Sequence, residues 1–328
     1  MDVFSVTTAL AGGAVLAFSL TSEAVPAAVP LVYAGNGEAS AGAFRESGSG
    51  NVAPVVNLFG DRARIFNPSG LAVSPTGTVA ISVFDGGRSN PGRIQLYARG
   101  ASGNVPPVAT ISCAGLGGSP QQIAFDAQAN LYALYAGYSG RDGNAIEMFA
   151  PNEQSGCVKD KHVIVGRRTG ISGIGAITVG RGTIYNGSFG AVREFRTSDN
   201  GDVTPTNILL GPNTGLQYVN SLAVDNGGFL YVANSTSNAA SVLIFSPSAR
   251  GDVAPIGAIK GNRTLMHYVT GVAVSRDGRV FVAASSTTTQ VDEILVFAKG
   301  SRGNVAPIQV ISGSNTGIDR ISELGLRE

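Results

Sequence analysis

Side chains able to do chemistry are scarce in this sequence. Among 328 residues there are two histidines, His162 and His267, two cysteines, Cys113 and Cys157, and no tryptophan. A general base must reach its substrate within hydrogen-bond distance and be oriented by a partner. No carboxylate partner is identifiable for either histidine from spacing alone, so no catalytic set is expected. His267 nevertheless adjoins Tyr268, and Tyr218 occupies the matching position one repeat earlier. Tyrosines combine aromatic area with a polar tip, which suits stacking on a sugar ring or gripping a peptide. With Asn234 and Tyr135, at the starts of two long polar loops, these residues form the candidate ligand-binding set: Tyr218, His267, Tyr268, Asn234 and Tyr135.

Other chemistries find less support. The cysteines have neither the spacing nor the companions of a zinc site. Asp126 and Asp225, each ending an apolar run, read as turn caps rather than ligands for a hard cation. No Gly-Lys-Ser/Thr phosphate loop occurs, and no metal or cofactor is expected. Lys plus Arg is 23 against 22 for Asp plus Glu, a net charge of +1 without like-charge runs, which argues against nucleic acid as a partner. Residues 3–22 are uncharged and lead to small residues at Ala24 and Ala27. That pattern reads either as an export signal or as a structural extension, and it is too rich in Gly, Ser and Thr for a transmembrane helix. Residues 1–27 are set apart from one domain over 28–328, expected outside the cytoplasm: periplasmic, extracellular or on the cell surface.

The elements that must hold these residues follow from a repeat. Gly-Asn/Asp-Val-x-Pro recurs from Gly50, Gly103, Gly201, Gly251 and Gly303, with a degenerate copy at Gly156, at intervals of 53, 53, 45, 50 and 52 residues. With 45 Gly, 15 Pro and only 14% charged residues, that period fits four short strands and their turns. Each repeat holds an inner apolar run such as Leu222-Ala223-Val224, a second such as Leu230 to Ala233, a third ending in an aromatic such as Phe245, and a fourth from the Pro. The C-terminal Leu324-Gly325-Leu326 matches an inner run with no repeat behind it, while Leu31 to Ala34, Ala43-Phe44 and 50–59 match second, third and fourth runs. The expected fold is all-β: a six-bladed β-propeller with four-stranded blades, closed by one C-terminal strand joining three N-terminal strands. Small residues at Ala72, Ala124, Thr178, Ala223, Ala273 and Gly325, flanked by bulky ones, imply a small face packed on a bulky face at each blade boundary.

The run Asn220 to Ala233, with the strand ending at Phe245, resembles NHL-type propeller repeats, and the tandem Gly-Asn-Val-Ala-Pro phrase is similar to exported bacterial NHL-like propellers. The resemblance implies a fold hosting binding scaffolds, lactonases and lyases alike. The function expected is a noncatalytic binding or surface-display propeller; the alternatives are a propeller enzyme of lactonase or lyase type and a structural module of a cell-surface assembly. The long loops follow the second strands (84–92, 135–144, 234–240, 284–292), and an unknown protein, peptide or glycan is expected at that face. Cys113 replaces Gly60, at the end of a fourth strand, and Cys157 replaces Asn51, ahead of the next. A strand of about six residues would hold them about 20 Å apart as free thiols.

Overall fold

The computed structural model describes residues 29–37, 39–84, 92–112, 118–137, 143–157, 162–173, 175–236, 239–285 and 292–328. The first blade holds β1 (Leu31–Asn36), β2 (Ser40–Arg45) and β3 (Val56–Phe59), and the second β4 (Pro68–Val73), β5 (Val79–Val83), β6 (Arg93–Tyr97) and β7 (Ala109–Ile111). The third holds β8 (Ser119–Phe125), β9 (Leu131–Ala136), β10 (Ala145–Phe149) and β11 (Val163–Val165), and the fourth β12 (Ala176–Gly180), β13 (Thr183–Ser188), β14 (Ala191–Arg196) and β15 (Asn207–Leu210). The fifth comprises β16 (Tyr218–Val224), β17 (Leu230–Ser235), β18 (Ala240–Phe245) and β19 (Gly257–Lys260), and the sixth β20 (Tyr268–Val274), β21 (Val280–Ser285), β22 (Asp292–Phe297) and β23 (Gln309–Ile311). Finally β24 (Ile321–Arg327) returns to the first blade, pairing Val32 with Leu326 and Ala34 with Leu324. All six sheets are antiparallel and four-stranded, and the closure is the one expected from the sequence.

A four-stranded sheet has two faces and cannot bury either alone. The core is accordingly divided into six wedges, one per blade boundary. Between the fifth and sixth blades, Ala223 and Ala233 meet Val272, Val280 and Phe297; between the second and third, Ala72 and Ala80 meet Ile123, Leu131 and Phe149. Small against bulky is the expected fit, and Phe44, Tyr97, Phe149, Phe195, Phe245 and Phe297 supply one fully buried aromatic per blade. The outer strands begin about two residues beyond the repeat's Pro, because Pro has no N–H for the ladder. The first bond to the third strand comes from the next residue, as from Ile256 N to the Ile244 carbonyl at 2.8 Å.

The repeat phrase itself joins neighbouring blades. Its Gly forms a parallel bridge with the outer strand of the preceding blade at every junction, including Gly50 with Ile311 across the closure. The next residue, Asn or Asp, folds over a glycine of that preceding blade and accepts the N–H two positions beyond it. Asp252 Oδ1 accepts from Asn213 N at 2.8 Å, and Asn304 Oδ1 from Arg263 N at 2.8 Å. A Cβ on Gly211 would lie 2.3 Å from Asp252 Cγ, and its φ of +131° is unfavourable for a side chain. These glycines therefore make room for the clasp.

This geometry corrects the expectation of free thiols. Cys157 is disulfide-bonded, and Cys113, outside the described residues, is the chain's one other cysteine. Cys157 occupies the position of the clasping Asn or Asp and Cys113 that of the glycine beneath it. The sequence reading places the two positions on opposite faces of the ring, but they are neighbours across a blade boundary: Gly156 N donates to the Thr110 carbonyl at 2.8 Å, and Ser112 N to the Gly156 carbonyl at 3.1 Å.

Two outcomes are expected. Denatured, unreduced protein should contain no alkylatable thiol by mass spectrometry, and Cys157→Ser should lower the unfolding free energy by about 2–4 kcal/mol. Deleting residues 318–328 should remove β24, open the ring and cost several kcal/mol in a denaturant titration, about the loss expected for a buried strand.

Candidate functional site

Each inner strand starts at the end of the ring where the second strand finishes, as Tyr218 opposite Ser235 and Tyr268 opposite Ser285 show. The long-loop connections therefore surround the start of the inner strands. There the ladders slip by one residue: between Pro68 and Gly70, Pro120 and Ile123, Val219 and Ser221, and Val269 and Gly271, with a matching irregularity where β24 meets β1. A bulge leaves its extra residue unpaired and re-aims the side chain. Ser69, Gln121, Asn220, Thr270 and Ser322, the bulged residues, line a cavity of about 200 Å³ at the channel mouth, with Gly175 at the sixth position. Tyr268, Gln122 and Val219 complete its wall.

Immediately below lies a carboxyl that crosses the ring. Glu323, 6% exposed, accepts hydrogen bonds from Ser221 Oγ at 2.8 Å and Leu324 N at 3.0 Å, and Gln122 bonds to it from the opposite side. Since Glu323 belongs to the first blade, Gln122 to the third and Ser221 to the fifth, alternate blades are tied at this level. Burial raises the Glu323 carboxyl from 4.5 to about 8, against the opposing hydrogen bonds from Leu324, Ser221 and Gln122. Further down, the channel is lined by Ala72, Ala124, Thr178, Ala223, Ala273 and their apolar neighbours.

The structure divides the sequence-derived set. Tyr218 and Tyr268 are 49% and 41% exposed, so neither covers the core; Tyr268 lines the mouth, and Tyr218 meets Phe189 edge-on at 5.6 Å. His267 is exposed. Asn234, 2% exposed, accepts from Gln217 N at 2.8 Å and donates to the Gly215 carbonyl at 3.2 Å, which fixes the segment leading to β16. Tyr135, 5% exposed, sits in the wedge between the second and third blades. Asp126 and Asp225 cap their turns, accepting from Asn130 N and Phe229 N, each at 2.9 Å. Much of the long-loop face, including Tyr138, Arg141 and Asp142, lies outside the described residues.

Sequence reasoning missed the bulged ring, Glu323 and Phe189. A signal existed for the ring: a polar residue stands three places before the small inner-strand residue in five repeats. For Phe189 it was the short 45-residue interval. The hairpin between β13 and β14 turns over Phe189 and Gly190 alone, pairing Ser188 with Ala191 and bringing the phenylalanine beside Tyr218.

Glu323 yields a pH prediction. Its folded value exceeds its unfolded one, as does that of Glu46, which burial pushes to about 7 beside Arg279. The native state thus binds the extra protons, so stability is full below about pH 4.5 and falls as pH rises through about 8. Calorimetry at pH 8.5 should give a thermal midpoint at least about 5 °C below that at pH 5.5, and Glu323→Gln should remove most of the difference. A flat profile would mean that Glu323 is ionised in the folded protein.

Comparison with known proteins identifies the architecture and nothing narrower. No protein-family model matches the chain, and no curated protein matches its sequence. Among solved structures, a protein of unknown function from Bacteroides caccae, determined at 1.35 Å, superposes with a TM-score of 0.63 over 92% of this chain and 100% of that one, at 10% identity. At that identity the likeness is one of fold: the chain is a six-bladed β-propeller.

Proposed function

We propose that this chain is a noncatalytic, exported binding propeller of the NHL-like kind, holding a small ligand, or the end of a peptide or glycan, at its channel mouth. The observation that carries the reading is the bulged ring: Ser69, Gln121, Asn220, Thr270 and Ser322 present neutral hydrogen-bonding groups around one cavity. A ring of uncharged amides and hydroxyls recognises shape and hydrogen bonds; nucleophilic chemistry needs a base poised against a nucleophile. Tyr268 at the wall and the Tyr218–Phe189 pair add exposed aromatic area outside the ring. Export is supported by the disulfide at the second blade boundary, a bond that persists in oxidising compartments, and by the apolar segment within residues 1–27.

The enzyme reading has one observation in its favour. Glu323 is a carboxyl held protonated near neutral pH beneath a cavity, the condition of a general acid. A screen of glycans, peptides and lactones against the intact protein tests both. For a ligand so found, replacing Tyr218 and Tyr268 together by Ala should weaken binding by about 2 kcal/mol, roughly thirtyfold, with the thermal midpoint nearly unchanged. Full affinity in the double variant would move the site off this face. Turnover of a lactone or glycan that Glu323→Gln abolishes would favour the enzyme.

A further inference from the structure

The ring at the mouth is polar, but most of its hydrogens are already engaged. Ser69 Oγ donates to the Pro120 carbonyl at 3.0 Å, joining the second blade to the third, and Gln122 Nε2 donates back to the Ser69 carbonyl at 3.3 Å. Asn220 Nδ2 donates to the Val269 carbonyl at 2.7 Å and to Ser235 Oγ at 3.1 Å, joining the fifth blade to the sixth. Ser322 Oγ donates to the Gly35 carbonyl at 3.3 Å, and Gln121 Nε2 to the Ser119 carbonyl at 3.4 Å. A backbone carbonyl can only accept, so each of these bonds fixes which amide atom is nitrogen. The oxygens of Gln121, Gln122 and Asn220 receive no hydrogen bond from the described residues, and Thr270 Oγ1 is buried without a partner. Stitching the ring engages the donors of Ser69, Asn220 and Ser322 and leaves mainly acceptor oxygens, with the Thr270 hydroxyl and one Gln121 N–H also unengaged.

We propose that the channel mouth is an acceptor-lined site for a protonated amino group, carried by a small amine or by a peptide N-terminus. The inference rests on the mouth being the binding site. An ammonium has three donors and no acceptor, the complement of this lining. Acceptor oxygens outnumber free donors in this lining, which favours a ligand rich in donors over an anion. Tyr268 in the same wall offers an aromatic surface that attracts cations, and the floor is the Glu323 carboxyl rather than a cation. Arg320, two residues from Ser322 in sequence, lies 3.8 Å from Asp319.

The test uses the whole chain and four probes at matched ionic strength: ethylammonium, trialanine amide with a free N-terminus, the same peptide N-acetylated, and glucose. Amide resonances of Gln121, Asn220 and Thr270 should shift with a free amine and stay still with the acetylated peptide and glucose. Ethylammonium alone would assign the site to small amines; the free peptide binding more tightly would assign it to chain ends. Thr270→Val, which keeps shape and removes the oxygen, should weaken the amine by about fivefold or more without changing the thermal midpoint. Glucose or the acetylated peptide moving these resonances while amines do not would overturn the ammonium assignment and leave the mouth as the binding site. No probe moving them, with Thr270→Val folded and equally silent, would overturn both.

Discussion

The ring depends on one recurring junction, the clasp between an Asn or Asp of one blade and a glycine at the end of the preceding blade's outer strand. Each blade is a thin sheet whose two faces are buried only by its neighbours, so stability depends on boundaries rather than on any central core. Apolar wedges supply the driving force but are not directional. The clasp supplies direction: a main-chain bridge at the phrase's Gly and a side-chain bond to the turn beyond the outer strand hold each blade at a fixed angle to the last. Tolerance is small, because a Cβ on Gly261 would come within 2.6 Å of Asn304. At the second boundary the same two positions carry Cys113 and Cys157, and a covalent bond replaces a hydrogen bond.

The mouth is a consequence of the same tiling. Five of the six inner strands carry a bulge at their starts, and each bulge re-aims one residue at the mouth. Those residues then meet backbone from the next blade, which favours short polar side chains able to bond across. Structural stitching thus draws on the atoms that line the mouth and determines which of them stay free. Glu323 shows the cost of the arrangement: a carboxyl spanning three blades satisfies Ser221 and Gln122 but is held away from water, and its ionisation is disfavoured.

Departures from symmetry concentrate in the fourth blade. There β12 and β13 turn over Arg181-Gly182, pairing Gly180 with Thr183, where the fifth blade spends five residues between Val224 and Leu230. Its β13–β14 hairpin is equally tight, and the exposed Phe189 at its tip leans on Tyr218. A short blade beside long-loop neighbours gives the face an aromatic shelf on one side.

The sequence by itself determined the fold class, the blade count and the closure, because these rest on a periodic signal. A Gly-Asn/Asp-Val-x-Pro phrase, an aromatic ending each third strand and a leftover inner run at Leu324 repeat too regularly to be read otherwise. It also placed Tyr218 and Tyr268 correctly on the open face, since strand alternation and loop length fix which end of the ring a residue occupies. Only the tertiary structure decided which residues meet across a boundary. Cys113 and Cys157 have their places in the repeat from sequence but are expected there as free thiols, because sequence gives a place within a blade and not the facing place on the next. The bulged ring and Glu323 stayed hidden for the same reason: a one-residue slip leaves no mark on an apolar run, but it decides whether a side chain faces a neighbouring blade or the channel.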